Sequence, residues 1–178
     1  MKKFLWPMLG LCLLLLSGCG TCNKSNWPEQ PVLDHLSVKQ KSQYLTRVKQ
    51  TLVNFRATAV DLHKHQPRPV EGEPLNCQRE QFHCEVVRYV EVYVLPILED
   101  TEALHNVETR LEVAKVNLLA AYALYETGGT GDARRLMNKY DQRYRSDVAI
   151  ETAMIDRRDM EFDTLGEAAR HLRARLSR

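Results

Sequence analysis

Five cysteines, six histidines and one late acidic cluster are the residues of this 178-residue chain that could carry chemistry. His63, His65, Cys77, His83 and Cys84 offer the imidazole and thiolate donors that suit zinc or copper. Their spacing fits no zinc-finger pattern, and His63 and His65 diverge on a helix, so no metal ligand is assigned. Asp156, Asp159 and Glu161, interleaved with Arg157 and Arg158, supply the paired carboxylates that acid–base catalysis needs. Alternating signs on a late helix describe a solvated face instead, and no catalytic residue is assigned there. Gly128-Gly129-Thr130-Gly131 precedes a helix as a phosphate-binding loop does. It lacks the following Lys-Ser/Thr and a preceding strand, so it is expected to be a helix C-cap and turn. Neither a Gly-x-Ser-x-Gly elbow nor a His-Glu-x-x-His helix occurs, and no cofactor is expected. Arg170, Arg173, Arg175 and Arg178 make the C-terminus a basic amphipathic stretch. It suits anionic lipid, peptidoglycan or an acidic partner groove, or simply complements the dipole at a helix end.

Positioning these side chains falls to helices. Ser37 and Gln40 have the spacing of a capping box, and Leu45, Val48, Leu52, Phe55, Ala59 and Leu62 follow at helical intervals. The prolines at 67, 69 and 74 make His65–Pro74 a loop. Between Cys84 and Leu98 strand and helix compete. The helix template collects Glu85, Arg88 and Glu91 on one face, opposite Val86, Val90, Tyr93 and Ile97, with Pro96 kinking or restarting it. Leu104, Val107, Leu111, Ala114, Leu118, Ala121 and Tyr125 predict the next helix, ended by Gly128-Gly129. Another follows Asp132 with Ala133, Leu136, Met137, Tyr140 and Tyr144 inward. Residues 147–160 read as a less regular helix packing through Ala149, Ala153 and Met154. Thr164 and Glu167 open a terminal helix through Leu165, Ala168, Leu172 and Leu176. The fold class is therefore mainly α, a helical bundle or short helical array in one domain over 34–178.

The N-terminus has a different grammar. Met1-Lys2-Lys3 and the mostly apolar run Phe4–Leu16 form the charged and hydrophobic regions of an export signal. The run is shorter than the roughly 20 residues that span a bilayer. Leu16-Ser17-Gly18-Cys19 closes it and resembles the lipobox of bacterial lipoproteins. The resemblance implies removal of residues 1–18, diacylglycerol on the Cys19 sulfur and usually a third chain on its amino group. Two or more chains anchor stably, since each buried methylene contributes about 0.8 kcal/mol. Gly20 stands where an aspartate commonly retains Gram-negative lipoproteins at the inner membrane, so the resemblance implies the outer membrane, facing the periplasm. Residues 19–33 then form the lipidated N-terminus and a polar, proline-interrupted tether.

Processing changes the charge. The full chain carries 25 Lys+Arg against 23 Asp+Glu; losing Lys2 and Lys3 leaves 160 residues with a formal charge of zero. The basic excess belongs to the export signal, and nucleic acid is not an expected partner. Three cysteines besides Cys19 would then meet an oxidising compartment. Cys77 and Cys84 are the expected disulfide, which requires a turn within Gln78–His83; otherwise Cys22 takes one of them. Continuous helix would hold residues 77 and 84 about 10.5 Å apart, too far to bridge.

Residues 117–145 resemble part of a tetratricopeptide repeat, with Ala121 at a small-residue position, Gly128 at the turn, and Ala133 and Met137 at packing positions. Asn117 and Arg145 depart from the repeat's leading Trp and closing Pro. The resemblance implies a helical hairpin. The expected function is a non-enzymatic interaction or assembly module, a pilot or scaffold, in an envelope complex such as a secretion or pilus system. Its partners would be the membrane, through lipid, and envelope proteins. A small cell-wall-acting enzyme or inhibitor and a metal-binding lipoprotein are the alternatives.

Overall fold

The computed structural model describes residues 22, 24–65, 77–100 and 107–177. The segment that resembles a lipobox, with Cys19, and Arg178 lie outside them. A short 3₁₀ turn, Lys24–Asn26, leads to α1 (Val38–His65), α2 (Cys77–Tyr89), a π-helical turn (Val90–Val94) and α3 (Leu95–Glu99). Then come α4 (Val107–Glu126), α5 (Thr130–Tyr144), the short α6 (Val148–Glu151) and α7 (Leu165–Leu176). The fold is mainly α, and an isolated bridge between Met154 and Thr164 is the only β pairing among the described residues. No helix among them is long and apolar enough to cross a membrane.

The caps form as their spacing predicts. The Ser37 N–H donates to Gln40 Oε1 at 2.9 Å and the Gln40 N–H to Ser37 Oγ at 3.4 Å. At α7 the Glu167 N–H donates to Thr164 Oγ1 at 3.2 Å, while Glu167 Oε2 accepts from Asp163 N–H. Helix also prevails over strand between Cys84 and Leu98, with the proline absorbed in a specific way. Pro96 has no N–H to donate back, and the turn before it widens so that Leu95 N–H donates to Val90 O, five residues back.

α4 is the axis of the core. Every residue from Val116 to Leu124 is buried, so the helix has no solvent face through its second half. α1 covers one side through Leu45, Val48, Leu52 and Ala59, and α5 covers another through Ala133, Leu136, Met137, Tyr140 and Tyr144. α7 closes the remaining side with Leu165, Ala168, Ala169 and Leu172. Ala114, Ala120, Ala121 and Ala123 keep α4 slim enough for its neighbours to approach closely. Each fully buried leucine contributes about 2 kcal/mol relative to exposure. α4 and α5 form the expected antiparallel hairpin. His83 touches Thr127 at one end, while Arg110 pairs with Asp147 at the other.

Three expectations are corrected. Cys84 is bonded to Cys22 and not to Cys77, with Cα atoms 5.3 Å apart. The reason is the geometric objection itself: residues 77–84 are unbroken helix. Cys22 and residues 24–33 are consequently not a free tether. Besides the disulfide, Gln30 donates to the Glu91 carbonyl at 2.9 Å and Leu33 is buried in the core. Finally, the helix expected over 147–160 stops at Glu151. Beyond it the chain doubles back, with Ile155 N–H on Asp163 O and Leu165 N–H on Ala153 O. Ile150, Ile155 and Met160 are the buried residues there, and Met154 is 69% exposed, because extended chain alternates its faces.

Two measurements check this architecture. Gly128 has φ 98°, so Gly128→Ala should cost about 1 kcal/mol by urea unfolding; an unchanged midpoint would refute the tight turn. Reducing the disulfide, which joins residues 62 apart, should lower stability by about 4 kcal/mol in the chain-entropy model.

Candidate functional site

Among the described residues, the histidines and carboxylates that could do chemistry gather in two places. The first lies at the α4–α5 turn, where the ends of α1 and α2 meet α4. Arg79, buried on α2, points both terminal guanidinium nitrogens at His63 Nδ1, each at 3.2 Å. The ring nitrogen facing Arg79 must therefore accept, which leaves the proton on Nε2, 3.2 Å from Glu126 Oε2. A carboxylate behind a histidine is the arrangement of a general base. Here the lone pair that would take a proton is already held by Arg79. The recess lined by Ala59, Leu62, Arg79, Phe82, Glu126 and Thr127 has no room for a water molecule. The triad is a buried charge network that ties α1 and α2 to α4.

His83 sits beside it. Thr127 Oγ1 donates its one proton to the helix carbonyls of Ala123 and Leu124, so it accepts from His83 Nδ1–H at 3.0 Å. The ring also lies against the turn, and a Cβ on Gly129 would stand 2.4 Å from His83 Cε1. The glycine run is thus a turn shaped around a histidine, as a C-cap reading requires, and a side chain at Gly129 would displace that ring.

The second place is a surface groove of ≈ 310 Å³ between α1 and the 156–161 segment. Val53, Ala57 and Val60 line its apolar wall, and Arg158, Asp159 and Glu161 its charged one. The three carboxylates proposed for acid–base work are all engaged. Asp156 meets Arg158 at 2.5 Å, Asp159 meets Lys49 at 3.3 Å, and Glu161 meets Arg56 at 3.5 Å. The side-chain hydrogen bond from Arg158 holds Asp156 down to about 2, too low for a general acid near neutral pH. Arg56 anchors the segment, donating to the Asp159 carbonyl at 2.9 Å while its guanidinium lies 4.9 Å from the Tyr122 ring. Arg56 stands outside the apolar series of α1 that runs from Leu45 to Leu62. Only the returning 156–161 segment makes it a buried strut.

The remaining candidates separate. His63 and Cys84 are committed to the charge network and the disulfide, and among the described residues no group of three His, Cys, Asp or Glu is placed to hold a metal ion. The side chains of Cys77 and His65 lie outside the described residues. The terminal arginines do not act together. Arg173 forks onto Asp141 of α5 with Nη2–Oδ1 at 2.6 Å and Nε–Oδ1 at 2.9 Å. Arg170 and Arg175 are exposed. The basic patch therefore loses its central member to an internal contact, because Leu172 must face the core and Arg173 beside it then meets α5.

His83 gives this region a pH signature. Burial lowers its pKa from the usual 6.5, with Asp132 opposing. The unfolded chain then takes up the proton first, so this contribution is complete above pH 6.5 and declines as pH falls below it. Urea midpoints measured on both sides of that value should drop on the acid side, and His83→Asn should flatten the drop; an unaltered slope would refute it. Compared with family models, with characterised proteins and with solved structures, the chain matches none.

Proposed function

We propose that the protein is an outer-membrane lipoprotein, facing the periplasm, whose helical domain is an interaction or assembly module of an envelope complex such as a secretion or pilus system. The observation that carries this reading is the Cys22–Cys84 disulfide in a chain whose apolar leader ends at Cys19. Disulfides persist in the oxidising compartments to which such leaders deliver, and they are rare in a reducing cytosol. Leader, lipobox and disulfide thus agree on one destination.

The module half of the reading draws on how the polar groups are used. The carboxylates of the 156–161 segment are paired with cations, and the histidine–carboxylate pair found among the described residues has the other ring nitrogen capped by Arg79. Among the surfaces that the domain offers outward is a shallow groove with an apolar wall on α1 and a charged wall opposite. Val60, 46% exposed, stands at its edge. Such a surface suits an apolar stripe of a partner protein better than a small substrate, which is ordinarily enclosed on most sides.

Metabolic labelling with a clickable fatty acid should mark the native protein, and Cys19→Ser should lose both the label and outer-membrane fractionation. Labelling that survives Cys19→Ser would overturn the anchor. A photo-crosslinking residue at Ala57 should give a discrete adduct with a component of an envelope assembly. No adduct there, with the domain folded and lipidated, would overturn the groove as the partner surface.

A further inference from the structure

If Cys19 carries lipid, the disulfide does more than close a loop, and the orientation it imposes rests on that anchor reading. Cys19 and Cys22 are three residues apart, a span of at most about 10 Å in extended chain. Cys22 is in turn fixed 5.3 Å, Cα to Cα, from Cys84 on α2. Without that bond the first residue held in the core would be Leu33, and fourteen residues would span about 50 Å. The bond therefore shortens the leash to α2 to about 15 Å, little more than the width of a helix with its side chains, about 10–12 Å. A domain on so short a leash cannot turn freely; one face has to meet the lipid.

We infer that the Cys22–Cys84 disulfide holds the face of α2 carrying Gln81, Cys84 and Arg88, together with Lys24 and Trp27, against the phospholipid headgroups. Gln81 and Arg88 are exposed and lie on the same side of the helix as Cys84, at i−3 and i+4. Next to the anchor, Lys24 Nζ stands 5.2 Å from the centroid of the Trp27 ring. A tryptophan body beneath a lysine head is chemistry suited to the boundary between hydrocarbon and water. The opposite flank of the molecule is set apart from this face. His83, next to Cys84, touches Thr127 on α4, whereas Tyr122, five residues away and so about 140° around the same helix, donates to the Ala168 carbonyl of α7. Ala174, exposed on α7, therefore lies across α4 from α2 and away from the bilayer, which leaves that flank open to a protein partner.

Trp6 belongs to the leader, so Trp27 is the sole tryptophan of the processed chain and can be moved. Full-length lipidated protein would be reconstituted into phosphatidylethanolamine–phosphatidylglycerol vesicles containing brominated lipids. Two variants would carry Trp27→Phe, one with Gln81→Trp and the other with Ala174→Trp. The Gln81→Trp protein should be strongly quenched and the Ala174→Trp protein should not, with Trp27 quenched in the native protein. Dithiothreitol should relieve the quenching at Gln81→Trp. Equal quenching at both positions, or none at Gln81→Trp, in protein whose mass shows acyl chains on Cys19 would overturn this orientation and leave the anchor standing. The comparison between positions in the oxidised protein needs no reduction, so it decides the matter even if dithiothreitol unfolds the domain. Protein whose mass shows no acyl chain would overturn the anchor reading, and this inference with it.

Discussion

Through its second half α4 has no side open to water, and a helix of that kind exists only if other helices cover it on every side. That requirement organises the rest of the molecule. α1 and α5 pack along opposite flanks, and α7 must return across the gap they leave. The segment after α6 brings it there, turning back on itself through the Met154–Thr164 bridge in place of continuing as helix. Tyr122 shows how completely the axis is enclosed. Its hydroxyl donates to the Ala168 carbonyl on α7 at 2.9 Å, its ring faces Arg56 on α1, and burial pushes its phenol pKa well up.

Around this apolar axis the polar groups work as seams. Arg79, His63 and Glu126 join α2, α1 and α4; Arg173 and Asp141 join α7 to α5; Arg56 joins α1 to the 156–161 segment. Each draws a charge into a partly or wholly buried place, where pairing offsets the desolvation that would otherwise oppose it. The same use of charge explains why the residues most suggestive of catalysis are quiet. The carboxylates each hold a cation and the imidazole has its Nδ1 lone pair occupied, which spends these groups on structure. The disulfide belongs with these seams. It joins the segment nearest the lipobox to α2, and so links how the domain folds to how it would stand on a membrane.

The elements were largely legible in the sequence because each reports on itself. The inward faces of α1 and α5, the capping residues Ser37 and Thr164, and the turn glycines depend on neighbours three or four positions away, and the chain adopts what they specify. The seam read on α4 through Ala114, Leu118 and Ala121 is real but partial. Val113, Val116 and Leu119 are equally buried, since an enclosed helix has no single face to announce. Pairings between distant segments were not legible. The chain offered Cys84 two partners, and Cys77 was expected because Cys22 lay in what read as a tether, although continuous helix forbids that pair. Arg173 looked like one of a row of exposed cations until α5 brought Asp141 beside it.

By itself, then, the sequence determined that this is a helical domain behind an apolar leader that resembles a lipoprotein signal. Both conclusions rest on local patterns: side-chain periodicity in one case, a charged-apolar-small run in the other. Only the tertiary structure decided which cysteine closes the loop, that Cys22, Gln30 and Leu33 are tied to the body, and which charges are spent inside. Those outcomes depend on which helix faces which across the core, and the enclosure of α4 settles that for all the helices together. No window of local sequence contains that information.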